Sequence, residues 1–301
     1  ANWAADTENG LTRPIMESVA GIDRNAGLPK FYGQTFVKQA KELPATVDTT
    51  APAKDRKAVL FATCFANYNS PEIGVAAQEI LARNGVETEV VYPGCCGMPQ
   101  LEQGDISTVA ESAKTVSKEL GTWIDKGYDV IALIPSCALM LKFEWPLILP
   151  NDSAVRKLAD ASFDITEYVV DIAKKEGLSD GLEPLDGGVA VHFACHARAQ
   201  NFGQKSAEML RLIPEFDLHV IERCAGHGGS WGIMKDNFET ALKVGKPVAR
   251  QAAKEAKAYV VSGCPLARDH ILQGMERIDG KAPEVDSSAH PIQILARAYG
   301  Y

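Results

Sequence analysis

The sequence predicts an α/β protein of two duplicated halves, each a parallel sheet flanked by helices, with cysteines at the carboxyl ends of strands. Three observations carry this. Short apolar runs alternate with amphipathic helical stretches from Lys57 onward. That order occurs twice, which implies an internal duplication. Six cysteines then fall in matching places, Cys64, Cys95 and Cys137 answering to Cys195, Cys224 and Cys264; steps of 31 and 42 residues in the first half become 29 and 40 in the second.

Residues 1–56 have little strand character and read as an N-terminal arm and linker. Thr12 to Ala20 predicts a short helix with Pro14 in its first turn, and Pro29, Pro44 and Pro52 break the remainder of the arm. The first repeat, 57–180, opens with the strand Ala58–Thr63 and the helix Pro71–Asn84. The strand Glu87–Val91 comes next, then a long helix over Asp105–Lys126 with Ile106, Val109, Ala113, Val116, Leu120 and Ile124 on one face. Asp129–Ile134 is a third strand; Met140–Leu149 and Ser153–Glu176 read as helices, and 177–188 as a boundary. The second repeat, 181–301, places strands at Gly188–Ala194, Leu218–Glu222 and Ala258–Ser262. Its helices are expected around Lys205–Leu212 and from Asn237 to Lys257, the latter interrupted at Gly245-Lys246-Pro247.

A strand–helix–strand–helix–strand order gives a parallel sheet with helices on its faces. Ligands collect at the carboxyl edge of such sheets, and all seven thiols are expected there.

Composition narrows the function. The 301 residues are 46% hydrophobic and 23% charged, as in globular proteins, and the net charge of −8 argues against nucleic acid. No apolar run reaches the roughly 20 residues that span a bilayer, and Ala1–Asp6 does not read as a secretion signal. The first residue is not methionine, so processing or a longer parent chain is expected. An odd count of seven cysteines suits thiols that serve a metal in a reducing cytoplasm.

The organising stretch is Val91-Tyr92-Pro93-Gly94-Cys95-Cys96-Gly97-Met98-Pro99, two adjacent thiols in a Gly/Pro turn after a strand. Cys64, Cys95, Cys96 and Cys137 supply the four thiolates of a [4Fe-4S] cluster, a number that also suits structural zinc; their spacing is not that of a zinc ribbon or finger. The second half offers Cys195, Cys224 and Cys264. His227, three residues after Cys224, is the candidate fourth ligand of a second centre, either Fe-S or Zn. His192, inside a strand, reads as a core histidine. Arg198, Arg223 and Arg268 lie near these cysteines and read individually as solvent-facing. Lys142 to Leu149, aromatic and apolar, reads as a packed helix end before a membrane contact.

With these motifs in view, the chain resembles proteins carrying two cysteine-rich CCG domains. Such domains occur in the C subunit of anaerobic glycerol-3-phosphate dehydrogenase, in the B subunit of heterodisulfide reductase and in Fe-S subunits of lactate-oxidising systems. Cys64, Cys95-Cys96-Gly97 and Cys137 match the domain pattern. His192 to Asn201, Ile221 to His227 and Cys264 to Ala267 resemble the glycerol-3-phosphate dehydrogenase branch, and Gly21-Ile22-Asp23-Arg24 resembles the segment after its ferredoxin domain. Met140, Ala267 and Ala225 stand where that pattern has further cysteines, so neither half has a complete five-cysteine set.

The resemblance implies an iron-sulfur subunit of an oxidoreductase system, relaying electrons between a dehydrogenase or ferredoxin and a quinone or other acceptor. The ferredoxin domain would be absent here or supplied separately. It implies a cytoplasmic protein, with peripheral contact at the cytoplasmic face of a membrane left open. Two rival readings stand beside it: a heterodisulfide-reductase-like enzyme acting on a thiol, disulfide or other small substrate at an open iron, and a zinc-stabilised module without redox chemistry.

Overall fold

A computed structural model describes residues 1–301. They gather into two compact units, each with its own all-parallel sheet. One comprises Tyr32–Leu185, His196–Glu215 and Pro291–Tyr301; the other comprises Ala1–Phe31, Asp186–Cys195 and Phe216–His290.

In the first of these, β1 (Lys57–Phe61), β2 (Glu87–Val91), β3 (Asp129–Ala132) and β4 (Ser162–Asp164) lie in the order β2-β1-β3-β4. Ala58 to Phe61 are buried without a break, which is what a central strand covered on both faces requires. The helix Pro71–Arg83 buries Ile73, Ala77, Ile80 and Leu81; the helix Ile106–Ile124 buries Val109, Ala113, Val116 and Leu120. Asp105 caps the second, its carboxylate accepting from the Thr108 N–H at 3.2 Å. Only Ile106 of the expected apolar face lies exposed, at the first turn.

In the second unit, β5 (Val189–His192), β6 (Leu218–Ile221) and β7 (Tyr259–Ser262) take the order β6-β5-β7, which repeats β2-β1-β3. Val248, Ala249 and Ala252 of the helix Phe238–Glu255 pack with Ala190, Val260, Ile271 and Met275. The helix Thr12–Ala20 forms as expected. Arg13 on it is buried and donates to the carbonyls of Asp23 at 2.7 Å, Ala26 at 2.6 Å and Arg24 at 3.0 Å. Carbonyl acceptors facing its N–H groups are what let this guanidinium be buried.

Two helices differ from expectation. The stretch from Ser153 is not one helix: Ser153–Asp160 and Ile165–Lys175 flank β4, which pairs with β3 from Val130↔Ser162 to Ala132↔Asp164. Asp164 ends that strand and opens the next helix in a capping box with Glu167. Phe238–Glu255, by contrast, runs unbroken through Gly245 and Pro247. Pro247 and Lys243 are both exposed, so the carbonyl that the proline leaves unpaired can be hydrated.

Candidate metal centres

The strand ends align before any cysteine appears. Phe61 is level with Val91 and Ala132, and His192 is level with Ile221 and Ser262. Each cysteine follows within a few residues, so every thiol leaves the carboxyl edge of its own sheet. None of the seven is joined in a disulfide.

At the β1–β3 edge the four predicted thiols come together. Side-chain hydrogen bonds link Cys64 to Cys95, Cys95 to Cys96 and Cys96 to Cys137. Cys96 and Cys137 are buried, Cys64 and Cys95 half-buried. The hydrogen bond from Cys64, then that from Cys96, holds the Cys95 thiol well below its ordinary range. Donation to Cys95, followed by burial, pushes Cys64 up; the bond to Cys137 pushes Cys96 up. The largest influence on each of Cys64, Cys95 and Cys96 is another thiol of the set; burial adds to it at Cys64 and Cys96 and opposes it at Cys95. Thiols crowded in this way cannot all ionise unless a cation shares their charge.

Local backbone fixes the set. Thr63, fully buried at φ 53°, turns the chain from β1 into the helix Cys64–Tyr68 and caps it, its hydroxyl accepting from Ala66 N–H at 3.2 Å. A β-branched residue at positive φ is strained, and such strain collects at sites where geometry matters. Gly97, at φ 82°, turns its N–H onto Cys95 Sγ at 3.4 Å. Trp145, fully buried, donates to the Cys96 carbonyl at 3.0 Å. It follows the π-helical turn Met140–Glu144, so the segment Lys142 to Leu149 does pack at this residue. Neither Trp145 nor Tyr92 was singled out by sequence; Tyr92 lay inside the organising stretch without a motif of its own. No group of three or more His, Cys, Asp or Glu side chains closes round a single-ion position.

The β5–β7 edge repeats the plan with one thiol fewer. Gly226, at φ 80°, directs its N–H to Cys224 Sγ at 3.4 Å, the counterpart of Gly97 and Cys95. Ala225 occupies the place of Cys96 and is buried in the core. Met140 and Ala267 are likewise buried apolar side chains. Cys195 and Cys224 are exposed. Cys264 is half-exposed by surface yet crowded by neighbouring atoms; that burial pushes its thiol up to about 11, with repulsion from Cys195 adding to it.

His192 is a satisfied core histidine. Its Nε2 meets the Arg223 carbonyl at 2.9 Å, and its Nδ1 meets Ser262 Oγ at 3.0 Å, which in turn accepts the Cys264 N–H at 3.2 Å. One imidazole thus joins the loops that carry Cys224 and Cys264. His227 stands against His270, ring centroids 5.9 Å apart, and burial followed by His270 lowers it to about 4. The Nε2 atoms of both rings are buried without a hydrogen-bond partner. Arg268 is buried, not solvent-facing, donating to the Val260 and Asp286 carbonyls at 3.1 and 2.7 Å. Arg198 and Arg223 are exposed.

Two sheets of one strand order, each gathering cysteines at its carboxyl edge, define a duplicated cysteine-site α/β protein. The chain belongs to the cysteine-rich CCG domain family, whose profile matches residues 58–142 and again 189–266. It is 29% identical to the C subunit of the anaerobic glycerol-3-phosphate dehydrogenase of Escherichia coli, over 95% of this chain and 69% of that one. It is 26% identical to the B subunit of the fumarate reductase (CoM/CoB) of Methanothermobacter marburgensis, over 90% and 50%. An uncharacterized iron-sulfur protein of Methanocaldococcus jannaschii is 28% identical, over 82% of this chain and 47% of its own length. No helix is long and apolar enough to cross a membrane.

Proposed function

We propose that the chain is an iron-sulfur electron-transfer subunit of an oxidoreductase system. Cys64, Cys95, Cys96 and Cys137 are its ligands to a [4Fe-4S] cluster, which when bound supplies one-electron chemistry. The observation that carries this reading is the run of four thiols, each hydrogen-bonded to the next, at one sheet edge. The donor set fits the group, because thiols that depress and raise one another's acidity ionise together once iron shares their charge. Two relatives named as oxidoreductase subunits and one named as an iron-sulfur protein support it. By the same analogy a dehydrogenase or ferredoxin, the latter as a separate domain, delivers or accepts electrons, and a quinone or other carrier stands on the opposite side. The reading places the protein in the cytoplasm or on the cytoplasmic face of a membrane.

Cys195, Cys224 and Cys264 hold a second centre, Fe-S or Zn, with His227 as the candidate fourth ligand; the orphaned Nε2 of His227 fits that role. Exposure of Cys195 and Cys224 favours one further reading, a second site open to a small thiol or disulfide substrate.

Anaerobic purification with iron, sulfide and zinc analysis tests the proposal. The expected protein is brown, carries on the order of four irons and four sulfides in its first centre, and bleaches on reduction. Cys64→Ser, Cys95→Ser, Cys96→Ser or Cys137→Ser should each remove that complement and leave the second centre's metal in place. A colourless protein with stoichiometric zinc and no sulfide would refute the redox assignment. Disulfide turnover by the isolated chain, lost in Cys224→Ser, would favour the open-site reading.

A further inference from the structure

Tyr92 leaves the end of β2 and places its hydroxyl 3.2 Å from Cys64 Sγ, across the gap to the end of β1. The ring is held by an edge contact with Tyr68, centroids 5.5 Å apart and planes at 89°. Tyr68 ends the short helix that Cys64 begins, so thiol and phenol are braced on one element. Either atom of the pair could donate in the metal-free chain. A cysteine bound to iron carries no proton, so the phenol must then be the donor.

Resting on the iron-sulfur reading, we propose that Tyr92 sets the reduction potential of the first centre by donating its hydroxyl hydrogen bond to the ligand sulfur of Cys64. Reduction adds one electron from an external reductant, breaks no bond and increases the negative charge on the sulfur ligands. A donor aimed at one of those sulfurs favours the reduced form, and hydrogen bonds to sulfur are among the terms that set cluster potentials. Tyr92 is accordingly a tuning residue that acts through Cys64. The Gly97 N–H performs the same service at Cys95, but a backbone donor cannot be removed by changing its own side chain.

The test is Tyr92→Phe in the anaerobically purified full chain. Iron and sulfide are assayed first, then the midpoint is read in a dithionite titration with mediators, followed by electron paramagnetic resonance. The expected result is an unchanged metal and sulfide content with the one-electron equilibrium constant moved about tenfold toward the oxidised form, a midpoint about 59 mV lower. Tyr68→Leu removes the ring contact but keeps the hydroxyl and should leave the midpoint unchanged. An unshifted midpoint in a cluster-replete Tyr92→Phe overturns the proposal. So does an equal shift in Tyr68→Leu, which would mark lost packing. Should Tyr92→Phe fail to hold a cluster, 3-fluorotyrosine at position 92, a more acidic donor of the same shape, is measured below neutral pH. A raised midpoint there supports the assignment and an unmoved one ends it. Absence of iron and sulfide from the wild-type chain would instead strike the parent reading, so the two failures are distinguishable.

Discussion

His192 shows how one residue separates the two repeats. Its counterpart by strand register is Phe61, and the counterpart of Ser262 is Ala132. Where the first unit closes its strand ends with apolar packing, the second closes them with an imidazole joined to Ser262 and the Arg223 carbonyl. His192→Phe, which copies the first unit, takes the imidazole from both the Arg223 carbonyl and the Ser262 hydroxyl, which keeps only the Cys264 N–H. It should cost about 2 kcal/mol in urea unfolding, since two hydrogen bonds are lost at roughly 1 kcal/mol each. Adding Ser262→Ala should cost about 1 kcal/mol less than the two single losses together, because the groups act as one network. Strict additivity would show that the relay is incidental. His192 was readable in the sequence as a core histidine, since it lies within a strand; its partners were not, because Ser262 and Arg223 lie 70 and 31 residues away.

At the scale of elements, the turn Cys224-Ala225-Gly226 lies directly on the backbone of the helix Phe238–Glu255. A methyl group on Gly226 would meet the Ala241 carbonyl at 2.2 Å, and one on Gly245 would meet the Ala225 carbonyl at 2.2 Å. The sequence suggests that Gly245-Lys246-Pro247 breaks the helix, because glycine and proline usually do. Here the glycine serves close approach, and the proline sits on the wet side. Gly245→Ala has no room for its methyl, so backbone must move, at a cost of at least about 3 kcal/mol; overpacking of this kind commonly costs roughly 1–3 kcal/mol even where side chains can yield. A lowered melting temperature together with faster alkylation of Cys224 is the expected pair of results. An unchanged melting temperature would mean that the contact is slack. The capping box Asp164–Glu167 was open to a sequence reading, and the three-residue β4 before it was not, since Ser162-Phe163-Asp164 is too short to show a period. The strand ends bearing cysteines were the most legible feature, because duplication marks each of them twice.

For the whole molecule the controlling variable is acid. Burial lowers the ionisation of His196, His227, His270 and His290, to about 4 for His227 and about 3 for His290. An unfolded histidine takes its proton near about 6.5. A group whose folded value is depressed contributes its full stability above the unfolded value and loses it as pH falls toward the folded one. For His290 that window runs from about 6.5 down to about 3. Between pH 7 and pH 5 one such histidine should remove about 2 kcal/mol from the unfolding free energy. The buried carboxyl of Asp164, raised by burial, binds a proton more readily in the folded state and opposes part of this trend. The clean measurement is therefore a difference: urea unfolding of wild type and His290→Gln at both pH values. The wild type should lose about 2 kcal/mol more than the variant over that interval. Parallel losses in the two proteins would mean that His290 is protonated within the fold at pH 5, and that its burial does not exclude charge.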